Sequence, residues 1–108
     1  MKRVSMASLL LLLSGIVAAE DMPTFKLLMK GGRFFPETVE VPANTRFRLE
    51  VTNEGPGATE FESTELKKEL VLAPGVTRSL VFVPMKPGSY KFFDDFHPEA
   101  GLGRIVAQ

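Results

Sequence analysis

Apolar residues recur at every second position over several short stretches of the chain. The clearest is Arg46–Val51, where Phe47, Leu49 and Val51 alternate with Arg46, Arg48 and Glu50. A period of two puts the apolar side chains on one face and the charged ones on the other, as a half-buried antiparallel strand requires. Val39 and Val41 alternate likewise with Thr38 and Glu40, and Val76, Arg78 and Leu80 are offset against Thr77, Ser79 and Val81. Thr24–Met29, Leu70–Leu72, the aromatic run Tyr90–Phe93 and Arg104–Ala107 also have strand character. The stretches are punctuated by turn signals: Gly31-Gly32, Pro42-Ala43-Asn44, Asn53 to Gly57, Pro74-Gly75 and Pro87-Gly88. Phe34-Phe35-Pro36 begins a segment of its own, and Asp94–Gly103 reads as a loop. Phe61–Glu69 is ambiguous, because Glu65 to Glu69 are helix formers and Ser63 or Thr64 could cap a short helical turn. About seven short strands in fewer than ~100 residues predict an all-β Greek-key sandwich or barrel.

The first 19 residues break this pattern. Lys2 and Arg3 form a basic start, Met6–Val17 is almost wholly apolar with five consecutive leucines at Leu9–Leu13, and Val17-Ala18-Ala19 offers small residues for a signal peptidase. These are the three parts of a secretory signal. The apolar run is shorter than the roughly 20 residues that cross a bilayer. Residues 1–19 are therefore expected to be a cleavable signal peptide and residues 20–108 a single exported domain, periplasmic where there is an outer membrane. No stable membrane insertion is expected after cleavage. With no cysteine after the run, a lipoprotein anchor is excluded.

Composition narrows the chemistry further. The chain has 108 residues, 13 Lys and Arg against 13 Asp and Glu, and a formal net charge of zero. Loss of Lys2 and Arg3 would leave a net charge of −2. Nothing in that balance points to a nucleic-acid partner. The absence of cysteine excludes disulfides, thiolate zinc sites, iron–sulfur clusters and a cysteine nucleophile within this chain. The single His97 excludes any site that needs two imidazoles from one chain.

The stretch from Gly88 to Val106, GSYKFFDDFHPEAGLGRIV, resembles the ligand loop of cupredoxins. In that family an aromatic strand leads to a Cys, then a His three positions on, then a Met five positions further, then a final strand. Those slots fall here on Asp94, His97 and Leu102. Upstream, Phe35-Pro36, Val39 to Ala43 and Phe47-Arg48-Leu49 resemble the family's opening strands. Asn53, Gly55 and Glu60-Phe61 resemble the loop that delivers the first ligand His, with Glu60 in the His slot. The resemblance spans the whole of residues 20–108 and implies a cupredoxin-like sandwich.

The departures from the family pattern decide what the site can be. A blue copper centre needs a thiolate and usually two imidazoles with a weak axial Met, so this chain cannot supply one. Glu60, Asp94 and His97 would instead offer two hard oxygen donors and one nitrogen, a set suited to iron, Mn(II) or Cu(II) rather than Cu(I). Asp95 is the register alternative to Asp94, and Glu62, on the same side of an extended segment, is the alternative to Glu60. Met29 reads as core filler near a strand end, and Glu99 as a surface charge. The leader, the Glu60-Phe61-Glu62-Ser63 stretch and Asp94 to Pro98 look like the Cys-less periplasmic cupredoxin-like proteins of bacterial iron-uptake systems. That resemblance implies an accessory that binds ferrous iron, or assists its oxidation, for an iron permease or a periplasmic iron-binding protein. A copper(II)-handling protein and a metal-free protein-interaction domain are the other readings.

Overall fold

The structure, a computed structural model, describes residues 22–108. The expected signal peptide lies outside the described residues. Nine strands follow one another: β1 (Thr24–Lys30), β2 (Arg33–Phe35), β3 (Thr38–Val41), β4 (Phe47–Asn53), β5 (Thr59–Ser63), β6 (Lys68–Leu72), β7 (Thr77–Phe82), β8 (Gly88–Phe93) and β9 (Leu102–Ala107). They form a four-stranded sheet in the order β2-β1-β4-β7 and a five-stranded sheet in the order β3-β9-β8-β5-β6. No helix occurs among the described residues.

Alternation drives the packing. Phe47, Leu49 and Val51 of β4 are wholly buried, as are Leu27 of β1, Phe61 of β5 and Ile105 of β9. Together with Phe34, Phe82, Phe92 and Leu72 they fill the space between the sheets. In place of tryptophan the core uses phenylalanines in specific geometries. Phe34 meets Phe92 edge-on at 4.8 Å between centroids, and Phe47 stacks on Phe82 at 4.8 Å. Such pairs add about 0.5–1.5 kcal/mol beyond the area they bury.

Three features differ from the sequence reading. There are nine strands instead of seven, because β2 and β5 are strands in their own right. β1 pairs with β4, and β3 with β9, in parallel, whereas alternation had pointed to antiparallel neighbours. The helical turn considered over Glu65–Glu69 is instead a tight turn between β5 and β6 followed by the start of β6. Ser63 does act as the cap of that turn, its Oγ accepting from Leu66 N at 3.3 Å. Lys67, at φ 55°, then reverses the chain. Five helix formers carry only a few tenths of a kcal/mol of propensity each. The hairpin wins by burying Phe61 and Leu72 completely and pairing five residues from Thr59↔Leu72 to Ser63↔Lys68.

Candidate metal site

The last loop begins where β8 ends. Phe92 is in the core, so alternation along β8 carries Asp94 to the same side, and Asp94 is only 1% exposed. A buried carboxylate needs partners, and both of its oxygens have one. Oδ1 accepts from Phe96 N at 2.9 Å, and Oδ2 lies 2.7 Å from Nδ1 of half-exposed His97. A carboxylate accepts, so Nδ1 is the donor of this bond. The backbone closes the loop on itself: Asp94 N donates to Gly101 O, His97 N to Asp94 O and Gly101 N to His97 O, at 2.8, 3.0 and 2.8 Å. Two glycines make this closure possible. A Cβ on Gly101 would sit 2.7 Å from Asp94 Cβ, and one on Gly32 would sit 2.5 Å from His97 Cδ2.

A second set of acids lies on the other face of the five-stranded sheet. Phe61 points into the core, so Glu60 and Glu62 on either side of it point away from it. Glu62 stands opposite Phe93 of β8 and Glu69 of β6. Two residues further along the β5–β8 register, Asp95 N donates to Glu60 Oε1 at 3.1 Å. Each of Glu60, Glu62 and Asp95 offers a carboxylate oxygen within 4.8 Å of the others. Glu60 is 6% exposed, whereas Asp95 is open to solvent. The Glu62 carboxyl is pushed above the ordinary range, first by its partial burial, then by the charge and hydrogen bond of Glu60, with Glu69 and Asp95 adding to it. Among the described residues no Lys or Arg lies within ion-pair distance of these acids.

The expected ligands thus fall into two groups. Glu60, Glu62 and Asp95 come together on the outer face, and Asp94 and His97 pair with each other in the loop. The combination Glu60, Asp94 and His97 is not brought to one point, because Glu60 and Asp94 lie on opposite faces of neighbouring strands. Leu102, in the family's Met slot, points outward and is 53% exposed. One residue on the inner side was passed over. Thr59, 2% exposed, is the inward neighbour of Glu60, and its Oγ1 approaches Met29 Sδ at 3.6 Å. Alternation along β5 would have singled Thr59 out had that strand been recognised.

The profile of the cupredoxin-like domain matches residues 3–107 of the chain. The chain belongs to the cupredoxin-like family. It is 37% identical over 81 residues to an uncharacterised protein of Rickettsia prowazekii (strain Madrid E), a match that covers 75% of this chain. The chain spans about two thirds (65%) of that relative's length. Among solved structures it is similar to auracyanin B, with a TM-score of 0.65 at 16% identity over 82% of this chain and 92% of the other. It is also similar to a purple cupredoxin from Nitrosopumilus maritimus, with a TM-score of 0.57 at 19% identity over 82% and 100%. The periplasmic domain of cytochrome oxidase subunit II from Bradyrhizobium japonicum gives a TM-score of 0.67 at 15% identity over 80% and 83%. At these identities the likeness is one of fold. This chain has no cysteine, which rules out a blue copper centre built from its own residues.

Proposed function

We propose that this is an exported cupredoxin-like protein that binds one hard di- or trivalent metal ion, iron or copper(II), through Glu60, Glu62 and Asp95. The observation that carries the reading is the meeting of three carboxylate oxygens within 4.8 Å of one another, with the proton affinity of Glu62 raised by its acidic neighbours. A cation placed among them removes that repulsion. Oxygen donors suit hard ions, and they favour Fe(III) over Fe(II) because the higher charge gains more from anionic ligands. Such a site lowers the reduction potential of bound iron and eases its oxidation. One iron gives up one electron, and sustained turnover needs an acceptor that this chain does not supply. The role is therefore an accessory in iron uptake, binding ferrous iron or assisting its oxidation for a permease, and not a self-sufficient ferroxidase. Copper(II) handling is the second reading, favoured by the imidazole of His97 in the adjoining loop.

Calorimetric titration with Fe(II), Cu(II) and Mn(II) tests the proposal. One equivalent of metal should bind the wild type, Glu60→Gln should weaken binding at least tenfold, and Glu60→Gln with Glu62→Gln should abolish it. Loss of binding in His97→Ala alone would move the site into the loop. Absence of binding by the wild type would leave a metal-free interaction domain. Sequencing the exported protein should find Glu20 at its N-terminus, and a start at Met1 would refute cleavage.

A further inference from the structure

We propose a second binding site, independent of the metal reading, on the outer face of the five-stranded sheet, for a small organic anion that combines a carboxylate with an apolar body. A groove of about 520 Å³ runs over β3, β9 and β8 there, walled by Glu37, Thr38, Lys91, Phe93, Leu102 and Arg104 among others. Lys91 and Arg104 are direct cross-strand partners, and Thr38 is the partner of Arg104 on its other side. Like charges directly opposite each other in a sheet destabilise it. Here they are set side by side in a concavity, with no carboxylate within ion-pair distance of either cation among the described residues. Two acids that touch these strands, Glu65 and Glu37, do not resolve the conflict. Glu65 accepts from the backbone N of Lys91 at 3.1 Å, and Glu37 gives its carbonyl to Arg104 N at 2.8 Å.

An anion in the groove converts this repulsion into two attractions. Arginine presents a planar fork that matches a carboxylate, lysine adds a point charge, and the Thr38 hydroxyl supplies a neutral donor. The apolar requirement comes from the row beside the cations, where Phe93 and Leu102 are themselves cross-strand partners. Leu102 is 53% exposed, an apolar surface that a ligand body would cover. A bare inorganic anion would leave that wall wet, and a neutral ligand would leave the cations unpaired. Glu37 opposes any anion that enters, and so limits affinity.

Titration of the 15N-labelled protein with benzoate, benzamide and inorganic phosphate, followed by NMR, tests the site. Benzoate should give saturable shifts at Thr38, Lys91, Leu102 and Arg104. Benzamide, of the same shape without the charge, should bind at least tenfold more weakly, and phosphate should do so for want of an apolar body. Lys91→Gln and Arg104→Gln should each weaken benzoate binding about tenfold, roughly the loss of one charge-assisted hydrogen bond. Glu37→Gln should strengthen it severalfold, and all three variants should bind metal as the wild type does. Benzoate shifts that do not saturate, that map elsewhere, or that persist unchanged in the Lys91→Gln, Arg104→Gln double variant would overturn the proposal. Phosphate binding as tight as benzoate would overturn its organic part.

Discussion

Glu62 shows how a single side chain on a sheet surface couples charge to stability. It faces Glu69 across one strand pair and shares its surroundings with Glu60 and Asp95, so the fold holds its proton more tightly than the unfolded chain does. The sign follows from linkage. The stability contributed by Glu62 is fully present below its ordinary carboxyl value of 4.5, and is lost as the pH rises through the raised value of the folded state. Replacing the ionisable group should therefore help at neutral pH and do nothing in acid. Urea unfolding of Glu62→Gln is expected to show a higher midpoint than the wild type at pH 7 and the same midpoint at pH 4. On the proposed metal reading, a bound cation would do the proton's work at neutral pH. Added metal should thus raise the wild-type midpoint at pH 7 more than that of Glu62→Gln.

Among the elements, β6 and β7 are the edges of different sheets, and Lys68 joins them. Its Nζ donates to Val81 O at 3.1 Å and stands 5.2 Å from the centre of the Phe82 ring. An edge strand presents unpaired carbonyls to other chains, and lysine is a common guard against such pairing. Lys68→Ala is expected to cost only about 1 kcal/mol, yet to increase self-association in light scattering at concentrations where the wild type stays monomeric. An unchanged particle size would show that the edge is guarded by other means. The sequence disclosed most of these strands, and Thr38–Val41 agrees with β3 at both ends. It missed β5 because the outward half of that strand is acidic and runs into Glu65, Lys67, Lys68 and Glu69, which read as helix formers. The same omission hid which faces the expected ligands occupy: period two along β5 sends Glu60 outward, while period two along β8 sends Asp94 inward. The loop itself was legible, since the interval from Asp94 to His97 is what lets the pair bond. Parallel pairing was not legible, because it depends on which strands meet and alternation does not encode that.

Across the whole molecule, Asn53 fastens the two sheets. It is wholly buried at the end of β4, and its Nδ2 donates to Leu72 O of β6 in the opposite sheet and to Gly57 O, each at 2.9 Å. Its Oδ1 accepts from Gly55 N at 2.7 Å. Removing the amide orphans several buried groups at once, each costing about 1–3 kcal/mol. Asn53→Ala should therefore lose roughly 2–4 kcal/mol in denaturant unfolding, and a loss below ~0.5 kcal/mol would contradict this role. The strand order of the five-stranded sheet has a further consequence, one of timing. β9 is the last in sequence of the nine described strands, yet it sits between β3 and β8 and, among the described residues, is the only strand bonded to β3. Until β9 is in place, β3 lacks its sheet partner among the described strands, and Val39 and Val41 have no finished core to enter. Closure of the five-stranded sheet therefore waits on the strand furthest along the described chain, and β3 reaches β8 only through it.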